Sequence, residues 1–173
     1  MRKLLAMTII TLTVSSLWAG GMYATGASIT MDSTSKTTQV GIFLDNDNLV
    51  VERDKENWIN PLFSNHFDLV FSGLFKDEGL EQIGFSYIGG AGAAFKPSTS
   101  LYISLSLGPS LFTTFGTHDG TFGVGLGGII SFSYAFSDPG FIIKAGTHGS
   151  YTLLFDSNKP MMMGGFVGVG FKL

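Results

Sequence analysis

The chain has 173 residues, enough for one domain, with a net charge of −3, no cysteine, 24 glycines and 16 phenylalanines. The missing cysteines exclude disulfide frameworks and thiolate metal sites, and the charge lacks the basic footprint of a nucleic-acid-binding protein. Charged residues make up 13% of the chain, about half the share of an ordinary soluble domain.

The amino terminus, MRKLLAMTIITLTVSSLWAGGMYATGAS, places Arg2 and Lys3 ahead of an apolar run from Leu4 to Leu17. Small residues follow at Ala19, Gly20, Gly21, Ala24, Gly26 and Ala27. This is the layout of a secretory signal peptide. The expected division is a signal peptide over 1–24, cleaved somewhere within 19–27, and one domain over 25–173. The apolar run falls short of the ~20 residues a spanning helix needs.

The residues from there to Gln82 are less regular. SITMD is a short candidate strand, and TTQVGIFL and LVVER flank DNDN as the arms of a possible hairpin. ERDKENWINPLFSN, with Trp58 and Pro61, is expected to be a loop with at most one helical turn. HFDLVFSGLFK, residues 66–76, predicts a strand with Phe67, Leu69, Phe71 and Phe75 outward and Asp68 inward.

From residue 83 the pattern sharpens. Ile83, Phe85, Tyr87, Ala91, Ala93 and Phe95 share one parity, against Gly84, Ser86, Gly90 and Gly92. Leu101, Ile103, Leu105, Leu107, Leu111 and Phe115 oppose Tyr102, Ser104, Ser106, Gly108 and Ser110. In TFGVGLGGIISFSYAF, residues 121–136, the even positions are Phe122, Val124, Leu126, Gly128, Ile130, Phe132, Tyr134 and Phe136. The odd ones are Gly, Ser, Thr, Ala and one Ile. Alternation of this kind belongs to strands. Gly123, Gly125 and Gly128 match G-x-G-x-x-G, yet they sit inside a strand rather than before a helix, so a dinucleotide loop is set aside. Phe141, Ile143, Ala145, Tyr151, Leu153 and Phe155 oppose Lys144, Gly146, His148, Ser150 and Thr152. Last, Met161, Met163, Val167, Val169, Phe171 and Leu173 oppose Gly164, Gly168, Gly170 and Lys172.

Charge is confined to the breaks between these segments. Beyond Gln82 the charged residues are Lys96, Asp119, Asp138, Lys144, Asp156, Lys159 and Lys172, and only Lys144 falls inside a predicted strand. The others lie in KPSTS, THDG, SDPG and DSNKP, which are turn sequences, or at the terminus. A soluble sandwich or ligand-carrying barrel would put charge on its solvent face. Here the second face is glycine and serine, which suits a narrow lumen with room to spare.

Segments of this length exceed ordinary globular strands and match tilted strands that cross a bilayer. Backbone groups in lipid must all be paired, so a spanning sheet closes on itself. The expected fold is all-β: an antiparallel, transmembrane up-and-down β-barrel of eight strands, an even number as in bacterial barrels. Rings at Phe122, Tyr134 and Phe136, and at Phe141, Tyr151 and Phe155, are placed to form interface belts.

The signal peptide, the long glycine- and aromatic-rich hairpins and the ending GFVGVGFKL resemble the small eight-stranded outer-membrane barrels, the OmpA/OmpX-type group. The resemblance implies a place in the outer membrane of a diderm bacterium, with outer-membrane lipid, periplasmic chaperones and the barrel assembly machinery as partners. In that group the outward residues of the last strand, here Val167, Val169, Phe171 and Leu173, carry the assembly signal. Leu173 stands where phenylalanine is usual.

Three functions follow from this frame. The first is a structural or surface-exposed barrel without catalysis or cofactor, since fold alone licenses no chemistry. The second is a narrow pore for small solutes. The third is a lipid hydrolase: barrel lipid A deacylases are similar in size and use His-x-Ser, which THGSYT matches at His148 and Ser150, though Tyr151 and Thr152 depart from the family's continuation. Asp68, Lys144 and His148 are the candidate polar contacts in the lumen. For Asp68 and Lys144, a direct or water-bridged pair and separate solvated positions near a rim both remain open. No metal site is expected, because His66, His118 and His148 fall in different segments without ligand spacing.

Overall fold

The computed structural model describes residues 21–33, 37–49, 58–74, 79–116, 121–136, 140–155 and 161–172. They form eight strands: β1 (Gly21–Asp32), β2 (Thr38–Leu49), β3 (Ile59–Ser72), β4 (Gln82–Phe95), β5 (Leu101–Gly116), β6 (Phe122–Ala135), β7 (Phe141–Leu154) and β8 (Met161–Lys172). Each pairs antiparallel with its sequence neighbour, and β1 closes the barrel against β8 from Met22↔Lys172 to Asp32↔Met162. The strands run 12 to 16 residues, longer than the roughly 9–11 a tilted strand needs to cross a bilayer.

Parity sorts the side chains as the sequence predicts from β5 onward. Leu107, Leu126, Phe132, Ile143 and Val167 face out, while Ser104, Ser106, Ser131, Ser133 and Thr152 are buried inside. The outer wall is thus a continuous apolar band with every backbone edge paired, the arrangement that lipid demands. Ring pairs mark both ends of that band. Tyr134, Phe136, Phe141 and Phe171 make successive contacts near the terminal end, and Phe122 meets Phe155 at the other.

Four sequence expectations need correction. First, DNDN is no turn: β2 runs through it to Leu49, with Asp45 and Asp47 turned inward. Turn propensity lost there to partners that lie far away in sequence. Second, β3 begins at Ile59, within the stretch expected to be a loop, so Pro61, Phe63, Ser64 and Asn65 are strand residues paired to β4. Third, β1 is longer than SITMD and starts at Gly21, so strand pairing already includes residues 21–27.

Fourth, the lumen is not spacious. Phe43, Tyr102, Phe166, Ile88, Ile129, Met22 and Lys144 fill it. The glycines make room for these side chains. A Cβ at Gly146 would meet the tip of Phe166 at 2.5 Å, one at Gly168 would meet Phe43 at 2.7 Å, and one at Gly127 would press on Ile88 at 3.0 Å. Small residues on one strand thus face large ones beside or opposite them. The expectations for residues 1–20, Phe75, His118, Asp119, Asp138, Asp156, Lys159 and Leu173 lie outside the described residues.

Candidate functional site

The middle of the lumen holds a polar cluster whose position follows from strand register. Asp45 pairs with His66 and Asp47 with Ser64 across β2 and β3, so all four side chains share the inner face. Asp68 follows His66 at i+2 and keeps that face. Lys144 and His148, both of inward parity on β7, enter from the opposite wall, and Ser104 enters from β5. Their distances make one connected network. Lys144 Nζ donates to Asp45 and, at 2.6 Å, to Asp47 Oδ2. Asp47 also accepts from Ser64 Oγ at 2.6 Å and Ser104 Oγ at 3.1 Å.

His66 bridges the next step. Its Nδ1 lies 2.9 Å from Asp45 Oδ2 and its Nε2 lies 3.0 Å from Asp68 Oδ2. The same Asp68 oxygen is 3.2 Å from His148 Nε2. The ring of His66 is walled by Phe43 (stacked, 5.6 Å), Phe166 (4.6 Å) and His148 (4.7 Å). Asp45, Asp68, His66 and Lys144 are all fully buried. In such surroundings an unpaired charge would be very costly, so the members must compensate one another.

The expected lumen residues are therefore all present, but in a different combination. Asp68 and Lys144 are not a pair. They are the two ends of a chain, Lys144–Asp45–His66–Asp68, and neither lies at a solvated rim. Asp45, Asp47 and His66 were missed because DNDN carries the composition of a turn and a lone histidine carries no periodic signal. The parity of Asp45 and Asp47 with Phe43 was a signal that could have found them. The histidines lack ligand spacing in sequence, yet barrel closure brings His66, Asp68 and His148 together, with their ligand atoms all within 4.8 Å of one another.

Ser150 shares the inward parity of His148, and the strand is regular there, pairing Gly128↔Gly149 and Gly127↔Ser150. The register shift of β6 against β7 lies at Val124 and Gly125, beyond the histidine. A groove of about 600 Å³ borders this part of the wall, lined by Leu107, Leu126, Tyr151 and Met163 and touching His148 and Ser150. The His148 ring nonetheless turns inward, to His66 and Phe166.

No protein-family model matches the chain, and no curated protein does. Solved structures do. Ail, the attachment invasion locus protein of Yersinia pestis, superposes with a TM-score of 0.61 at 15% identity, covering 90% of this chain and 99% of that one. Neisserial surface protein A superposes with a TM-score of 0.60 at 18% identity, covering 90% and 98%. At such identities the likeness concerns the fold: this chain has the closed eight-stranded barrel of small bacterial outer-membrane proteins.

Proposed function

We propose that this chain is a sealed, non-catalytic barrel of the bacterial outer membrane whose role is structural. The observation that carries this reading is the filled lumen. Phe43, His66 and Phe166 contact one another across it, and the Lys144 network ties β7 to β2. A pore for small solutes needs a continuous water path, and eight strands leave an interior that side chains can fill. Here they do.

A surface-binding role, of the kind the name of the Yersinia protein denotes, would rest on the hairpins opposite the termini. Those connections are residues 33–37, 73–81, 117–121 and 155–160, none longer than nine. Such short connections favour the structural reading. The lipid partner follows from the apolar wall. Val167, Val169 and Phe171 on the outer face of β8 are each about half exposed, which suits recognition by chaperones and the barrel assembly machinery, with Leu173 outside the described residues.

The test is planar-bilayer conductance of refolded protein, with fractionation and heat-modifiable migration reporting location. Silent membranes and a compact unheated band in the outer-membrane fraction are expected. Steady ohmic steps with solute permeation by the wild-type chain would replace this reading with the pore.

A further inference from the structure

We propose that His66, Asp68 and His148 form a binding site for one divalent transition-metal ion of the zinc type, held inside the lumen as a structural ligand. Three observations converge on it, and none depends on whether the barrel conducts. The first is geometric. His66 Nε2 and His148 Nε2 stand 3.0 and 3.2 Å from one oxygen of Asp68. Neighbouring ligands around an ion bound at about 2.0–2.2 Å are separated by roughly 2.9–3.5 Å. Two of the three separations already have that length, and the histidine nitrogens, within 4.8 Å of each other, would draw together on the ion.

The second observation is an unanswered nitrogen. His148 Nε2 makes no hydrogen bond, although its side chain is 98% buried and it faces a carboxylate oxygen at 3.2 Å. That nitrogen meets the carboxylate either as an N–H donor or across a bound cation, and the test below separates the two. Gly164 on β8 admits the ring in this position, since a Cβ there would collide with His148 Nε2.

The third is the outer shell and the charge. Asp45 lies 2.9 Å from Nδ1 of His66; accepting that proton, it would leave Nε2 to ligate an ion beside Asp68, the carboxylate–histidine arrangement that orients metal ligands. Within the cluster three carboxylates, Asp45, Asp47 and Asp68, face one ammonium, Lys144. A divalent ion with neutral imidazoles closes the deficit. Two imidazolium rings with centroids 4.7 Å apart would close it only against their mutual repulsion. Imidazole nitrogens with a carboxylate select zinc-like ions over calcium or magnesium, which take oxygen ligands. The site is closed to solvent, so the ion enters as the barrel folds.

The experiment is refolding of the tag-free, full chain into detergent with Zn²⁺ or with chelator, removal of free metal, then elemental analysis and a thermal unfolding midpoint. Wild type should retain about one equivalent of zinc and unfold at a higher temperature than the chelator-refolded protein. His66→Ala should lose the metal. His148→Phe, which preserves ring volume beside Phe166, should fold, retain none and show no zinc-dependent midpoint. Asp45→Asn should weaken affinity about 10- to 100-fold, and Ser150→Ala should bind as wild type does. Folded wild type that holds no more zinc than His148→Phe, with a midpoint indifferent to chelator, would overturn the proposal and leave protons as the neutralising charge.

Discussion

Lys144 on β7 and Asp47 on β2 are separated by 97 positions in the chain and by 2.6 Å in space. The contact crosses the lumen, joining the fourth residue of one strand to the tenth of another. It exists only because the sheet closes. Removing the ammonium would strand Asp45 and Asp47 in a fully buried site. Lys144→Met should therefore lower stability by about 3–5 kcal/mol, as for other broken buried pairs. Double-mutant cycles measured by urea unfolding should couple Lys144 to Asp47 more strongly than to Asp68, which it reaches only through Asp45 and His66. Equal coupling to both aspartates would contradict the network.

Leu126 faces outward from the middle of β6 and is 61% exposed. Replacing it by arginine puts charge in hydrocarbon, at about 2–4 kcal/mol near the midplane. Refolding yield into vesicles should fall for Leu126→Arg. If the variant matched wild type in stability and accepted a water-soluble label at position 126, the wall assignment would be wrong.

A polar contact is built into the outer wall between β3 and β4. Asn65 has outward parity on β3, is buried, and accepts a 2.7 Å hydrogen bond from the Tyr87 hydroxyl. Tyr87, expected to face lipid, instead leans over Asn65 through the gap left by Gly89, where a Cβ would strike its hydroxyl. Tyr87→Phe leaves the amide oxygen unsatisfied beneath an apolar ring, at about 1–3 kcal/mol. Asn65→Leu with Tyr87→Phe removes both polar partners and should recover most of that loss in equilibrium unfolding. A double variant as weak as the single one would show that the hydrogen bond is not what matters.

Strand β1 pairs from Gly21 with Asn48 and from Met22 with Lys172, and Met22 and Ala24 are buried in the lumen. Cleavage after Ala24 would remove the segment that closes the barrel opposite Phe171. The signal peptidase is therefore expected to cut at the early side of the 19–27 window, no later than the bond before Gly21. Intact-mass measurement of protein extracted from outer membranes checks this directly, and a mature chain beginning at Thr25 or beyond would refute it.

Refolded protein should release no fatty acid from lipid A, and Ser150→Ala should leave that baseline unchanged. A serine nucleophile needs its base within reach and a third group to orient that base. His148 instead directs its ring at His66 and Asp68, inside the wall, while acyl chains lie outside it. Ser150-dependent deacylation would show that the groove over Gly128 and Gly149 opens through the wall.

The sequence by itself determined the class and most of the wall. Period-two alternation from Ile83 to Lys172, with every charge but Lys144 and the terminal Lys172 in turn sequences, depends on local facts: side chains alternate along a strand, and lipid favours apolar ones outside. That local logic carried the five strands β4 to β8 and the outward faces of β5 to β8, while the count of eight rested on the even strand number of bacterial barrels. Tertiary structure alone decided what the lumen does. Asp45 and Asp47 look like turn residues until Lys144, Ser64 and Ser104 are brought against them, and His66 and His148 share no spacing until β3 and β7 face each other across a closed cylinder. Which residues meet inside a barrel depends on the register of every pairing around the circumference, summed from β1 to β8. No window of sequence contains that sum. The filled lumen has the same origin, since each small residue leaves a space whose occupant is set by a different strand.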